Sequence, residues 1–280
     1  MENTVTFFGK LPGRLVRGII CLLFPALLVF CQLPCIGATL QKKTIEAYNS
    51  YIEQVENKLL ERREGKLPFQ FVKESPGNLI SLEEGQIVLR NMNEDDETPK
   101  GIIHDWIGAV ELPEVTLDEV LNLLTDYDRH AEIFEEILSS SLISQGENRA
   151  GIHMRLRKDG LLTVVVDSLH ESETIKISSD RAQILCHSVR INEVEDPGTE
   201  DEKILPEGND RGILWRLNSY ISLEESAQGV VVECRSINLS RGLPFGISLI
   251  LGPFLKNLPP ESIESMLNSL RQHFTNQHSG

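Results

Sequence analysis

From Gly101 to Phe274 the chain runs through short stretches in which apolar residues recur at every second position. It then closes on a long stretch in which they recur every third or fourth. The last strand-like run, Gly229 to Ile237, carries three consecutive valines of high strand propensity. After a turn through Asn238–Pro244, Ile247, Ile250, Leu251, Phe254, Leu255 and Leu258 fall at helical spacing, and Ile263, Met266, Leu267, Leu270 and Phe274 repeat it. Pro253 and the pair Pro259-Pro260 are expected to kink or restart that helix, because proline lacks the amide and clashes one turn back.

The elements before it follow a consistent order. Ile102–Leu112 reads as a strand stopped by Pro113, and Thr116 caps a helix over 117–126 with acids in its first turn. A second short helix is expected over 128–137. Strands follow at 142–144, 151–157, 161–170, 174–177, 182–194, 212–223 and 229–237, separated by turn residues such as Lys158-Asp-Gly160. This order predicts an α+β fold, a curved antiparallel sheet wrapped around a long C-terminal helix, with the first strand paired to the last.

Upstream, residues 42–64 form an amphipathic helix with Ile45, Tyr48, Ile52, Val55, Leu59 and Leu60 on one face. It reads as a helix packed on the domain or spacing it from a membrane, its seam being too short for a coiled coil. Residues 67–100 read as an acidic linker with a short strand at Gln86–Arg90. Lys10, Arg14 and Arg17 precede an apolar run that ends at a small-residue site, Ile36-Gly-Ala38. That is the three-part pattern of a secretory signal peptide, and it implies export to a periplasm or the medium. An uncleaved N-terminal anchor is the alternative. The expected divisions are therefore 1–38 leader, 39–66 helix, 67–100 linker and 101–276 domain.

The domain resembles the START-like helix-grip superfamily, which includes polyketide cyclases, START lipid-transfer domains and coenzyme-Q-binding proteins. The carriers are the strand-then-helix opening ending in Tyr127-Asp-Arg-His-Ala-Glu-Ile-Phe134, the strand series, and the closing Ser240-Arg-Gly-Leu-Pro…Leu258-Pro-Pro-Glu261 segment. The resemblance implies an elongated apolar cavity between sheet and helix that holds a hydrophobic small molecule or lipid. A cyclase- or hydrolase-like enzyme and an interaction module with a filled cavity are the competing classes, because one fold hosts many activities.

Charge narrows the partners. A net charge of −15 argues against nucleic acid as a partner, whose binding rests on lysines and arginines that neutralise phosphates. The sparsely charged stretch Leu243–Leu258 leaves membrane contact open. Past the leader only Cys186 and Cys234 remain, and both read as buried free thiols. The sequence does not set the oligomeric state.

Strand alternation supplies the candidate lining: Trp106, Met154, Trp215 and Leu217, with Ile247, Leu251 and Phe254 from the helix. Arg155, Arg157, Arg216, Glu233 and Arg235 read as an outer-face charge ladder; in the alternative, Arg216, Glu233 and Arg235 turn inward as polar anchors for an acidic head group. His104-Asp105, His170-Glu171 and Cys186-His187 are neighbours on strands, so their side chains diverge and form no dyad. No catalytic group, cofactor or metal is expected: no two histidines have zinc-site spacing, and Ser219 and Ser240 lack a nucleophile elbow. Asn238-Leu-Ser240 matches a glycosylation acceptor.

Overall fold

The alternating runs pair into one antiparallel sheet. In the computed structural model, residues 38–93, 97–160, 163–207, 209–242 and 245–278 are described, with side chains of the last helix described from 257. Short β1 (Ala38–Thr39) leads into α1 (Lys42–Arg63), a 3-10 turn at Phe71–Glu74, α2 (Pro76–Glu83), β2 (Val88–Asn91) and β3 (Glu97–Thr98). Next come β4 (Gly101–Pro113), α3 (Leu117–Thr125), a 3-10 turn at Tyr127–Arg129 and α4 (His130–Ile133). The meander β5 (Ile137–Gln145), β6 (Arg149–Lys158), β7 (Val164–Lys176) and β8 (Arg181–Glu195) follows. After the short β9 (Lys203–Ile204) and β10 (Asn209–Asp210), the chain ends in β11 (Arg216–Glu225), β12 (Gly229–Arg241) and α5 (Phe245–His278).

The sheet order is β2-β4-β12-β11-β8-β7-β6-β5, with β4 paired to β12 along its full length, as the first-to-last pairing requires. One face packs on α5. Val110, Leu112, Ile184, Leu223, Val230 and Val232 meet Ile263, Leu267, Leu270 and Phe274 there. This is the helix-grip arrangement that the resemblance implies. Helix α3 closes one end of that core with Leu117, Val120, Leu121 and Leu124. It starts where expected because Thr116 and Glu119 form a reciprocal capping box that satisfies two orphan backbone donors.

Three expectations are corrected. Helix α5 is continuous from Phe245 to His278 through Pro259-Pro260, so the prolines do not end and restart it. The lost amides cost helix stability, and burial of Pro259, Ile263, Leu267 and Leu270 offsets that cost. Residues 67–100 are not an extended linker. Gln70 Nε2 donates to the carbonyls of Ser222 and Val231, at 2.9 and 2.8 Å, and Val72 and Leu82 pack on Ala109 and Val231. The strand expected at 86–90 is β2, paired to β4. Strands 161–170 and 174–177 are one strand, β7.

Helix α1 packs on the sheet's other face through Tyr48, Ile52, Val55 and Leu59, against Ile103, Trp215, Tyr220, Ile237 and Leu239. Both faces of β12 are therefore buried, which explains why its alternation is blurred by consecutive valines. Residues 1–37 of the expected leader, and 94–96 of the acidic run, lie outside the described residues. No described helix is long and apolar enough to cross a membrane.

Candidate functional site

On the face under α5, register rather than sequence assembles the site. Ser172 of β7 pairs with Cys186 of β8, Cys186 with Ser219 of β11, and Ser219 with Ser236 of β12. Paired residues share a face, so four adjacent strands present one transverse row of short side chains. The next row toward α3 carries Ile184 and Ile221, and the one after it Leu223, Val232 and Val110. Those larger residues seat α5. Over the short row the helix bridges a gap.

The gap is a chamber of about 220 Å³. Its apolar walls include Ile152, Met154, Ile184, Leu217 and Met266. At its α4 side the rings of Tyr127 and Phe134 meet His130 edge-on, with centroids 5.3 and 5.2 Å away. Tyr127 donates to Ser172 Oγ at 2.9 Å, and His130 Nε2 lies 3.1 Å from the Leu124 carbonyl. Burial lowers the His130 pKa, raises that of Tyr127, and pushes both cysteine thiols up to about 12. His130, Tyr127 and the two thiols are thus neutral at ordinary pH, and a protonated thiol is a poor nucleophile.

A second chamber of about 160 Å³ shares Glu136, Leu156, Leu217, Ser236 and Ser262 with the first. Val164, Val166, Ile213, Leu214, Leu258 and Pro259 form its aliphatic wall. The facing wall, from β4 and β12, is polar: His104, Ser236, Asn238 and Ser240. His104 Nε2 lies 2.9 Å from Ser240 Oγ, and Ser236 Oγ donates to Asn238 Oδ1 at 3.3 Å. Lys158 stands at its margin, bonded to Glu136 at 2.6 Å and 3.6 Å from Glu261.

Of the expected lining residues, Met154 and Leu217 line the chambers. Trp106 faces α5 but packs against the core and lines neither chamber. Trp215 is on the wrong side of the sheet. It precedes β11, its Nε1 donates to Asp210 Oδ1 at 3.0 Å, and it packs among the α1 contacts. The side chains of Ile247, Leu251 and Phe254 lie outside the described residues. The same holds for most of the stretch considered for membrane contact.

The polar anchors are corrected too, since Arg216, Glu233 and Arg235 point away from the cavity. Arg216 bonds Glu207 at 2.7 Å, and Arg235 grips the fully buried Asp105, which Tyr51 also contacts at 2.7 Å. Glu233 accepts the backbone N–H groups of Phe71 and Val72, at 3.0 and 2.7 Å. Burial pushes its carboxyl up to about 7 against the pull of those two donors. The glycosylation match also fails structurally, since Asn238 sits mid-sheet in the chamber wall. His104 and Asp105 diverge, as do Cys186 and His187, and Cys186 and Cys234 are free thiols on strands separated by β11. Sequence reasoning missed Tyr127, His130, Ser172, Ser219 and Ser236. Their small or polar character was visible, but their alignment was not.

No protein-family model matches the chain, and no curated protein does. Among solved structures it is similar to a STAR-related lipid transfer protein from Xanthomonas axonopodis, with 16% identity and a TM-score of 0.43 over 67% of this chain and 98% of that one. It is similar to the Zhui aromatase/cyclase from Streptomyces sp. R1128, with 11% identity and a TM-score of 0.39 over 63% and 94% of the two chains. Human STARD10 gives 10% identity and a TM-score of 0.42 over 68% and 76%. At such identities none of their functions transfers to this chain.

Proposed function

We propose that this chain binds a predominantly apolar small molecule of lipid type in the joined chambers beneath α5. The observation that carries the reading is the in-register row Ser172–Cys186–Ser219–Ser236, over which α5 bridges a gap because larger residues in the neighbouring rows seat it. An unfilled apolar gap of this size forfeits packing that a protein core normally makes. A fold shaped only for stability fills it with leucine or isoleucine. A dry cavity of ~150 Å³ already admits benzene, so an organic ligand fits. A filled interaction module has no such chamber, and the neutral thiols and hydroxyls favour carriage over covalent catalysis.

Native mass spectrometry of chain purified from its own cells, with solvent extraction of the same sample, tests the reading. A stoichiometric apolar adduct that disappears in Ser219→Phe supports it. Unliganded mass together with failure to bind any of a lipid panel overturns it.

We also infer export, from the basic residues, apolar run and small-residue site of the first 38 residues. N-terminal sequencing of the native protein decides this: a start at Thr39 supports it, and an intact Met1 in the cytosolic fraction refutes it.

A further inference from the structure

Resting on that reading, we propose that the ligand carries a neutral hydrogen-bonding group, such as a hydroxyl, ketone or ester, seated against Asn238 and Ser240 in the smaller chamber. Its apolar body would fill the larger chamber. The two chambers differ in a way that gives the ligand a direction. The larger spreads its polar groups over the sheet floor, the α4 side and α5, with Tyr127 bonded to Ser172 and His130 to the Leu124 carbonyl, whereas the smaller has four polar side chains gathered on one wall opposite an aliphatic one. In that wall Asn238 uses Oδ1 to accept from Ser236, which leaves its amide N–H groups available on the chamber side. Ser240 and His104 bond each other at 2.9 Å, and the hydroxyl keeps capacity for a second partner.

Charge decides the class of head group. Among the described residues lining this chamber, the ionic ones already have partners: Lys158 is held by Glu136, and Arg157 by Asp159 at 2.8 Å. The free arginine that an acidic head group would require is not supplied from across the sheet, because Arg216 and Arg235 face the other side and are paired. A carboxylate or ammonium placed here would be desolvated without a counter-ion, which is costly. A hydroxyl or carbonyl loses only water contacts that Asn238 and Ser240 replace.

The experiment displaces the neutral probe phenylnaphthylamine from delipidated full-length chain with a decyl series: decane, decanol, methyl decanoate, decanoate and decylamine. Decanol and the ester should bind about tenfold more tightly than the other three, the return expected for one or two net hydrogen bonds. Asn238→Leu should bring decanol and the ester to within about twofold of decane, while decane itself is unchanged. Ser240→Ala, which keeps the backbone and removes one atom, should give a smaller loss in the same direction. Decanoate or decylamine binding as tightly as decanol overturns the head-group assignment and leaves the cavity reading intact. A probe that binds equally well to Ser219→Phe, and that nothing in the series displaces, overturns the cavity reading itself.

Discussion

Gly108→Ala tests how closely α5 rests on the sheet. A Cβ added at Gly108 would run into Ile263 Cγ2 and lie 2.9 Å from Leu89 Cδ2 and 3.0 Å from Leu267 Cδ1. Leu89 is only half-buried and can swing away, but Ile263 and Leu267 are buried on α5 and have no such room. Overpacking of this kind costs about 1–3 kcal/mol, while alanine restricts the unfolded chain and returns about 0.4–1 kcal/mol. A net loss of about 1–2 kcal/mol follows, or a fall in Tm of roughly 2–8 °C for a chain of this size. Urea unfolding with unchanged m would measure it. Ile263→Leu drops the β-branch methyl that is struck first, so the double variant should recover at least half of the loss. A Gly108→Ala chain as stable as the parent, or a double variant that is simply additive, would show that α5 is not seated on β4 as described.

Three other outcomes are expected. Glu233 has a folded pKa near 7, above the ordinary 4.5, so its contribution is fully present below pH 4.5 and is lost as pH rises through 7. The loss should be about 3 kcal/mol, and the difference in stability between parent and Glu233→Gln, followed from pH 4 to 8, should carry that slope. A difference that does not vary with pH would refute the assignment. Asp105→Ala strands the Arg235 guanidinium and should cost about 3–5 kcal/mol in chemical denaturation, whereas Asp105→Leu with Arg235→Met should regain most of it. Arg216→Glu breaks the contacts with Glu207 and with the Trp215 carbonyl, neither of them in the cavity, so ligand content by mass spectrometry should be unchanged; a loss of ligand would return Arg216 to the cavity.

The architecture was legible because each element carries its own period. Ile152, Met154 and Leu156 alternate and all line the chambers, and Ile263, Leu267, Leu270 and Phe274 keep helical spacing and all reach the core. The site was less legible because a cavity is defined by what is small in several strands at once. Ser172, Cys186, Ser219 and Ser236 meet only through register, which no single strand encodes. Trp215 was misplaced by extending the alternation of β11 backwards past its true start, to a residue oriented by Asp210. Arg235 and Glu233 were correctly suspected of lying outside. Their real environment is buried beneath α1 and residues 70–72, partners too distant in sequence to be read from strand pattern.

The packing of α1 on the back of the sheet also sets an order of events for the growing chain. The Tyr48 hydroxyl donates to the Ile237 carbonyl, a bond that spans 189 residues, and Gln70 reaches Val231 across 161. A ribosome delivers α1 first and its seat on β11 and β12 almost last. The helix must therefore wait, with four large side chains uncovered, for nearly the whole polypeptide to appear. Closure is correspondingly non-local and slow. A fragment begun at Gly101, the boundary that sequence pattern suggests, would leave Ile103, Trp215, Ile237 and Leu239 bare and should clump during expression. The span that keeps this face covered starts at α1.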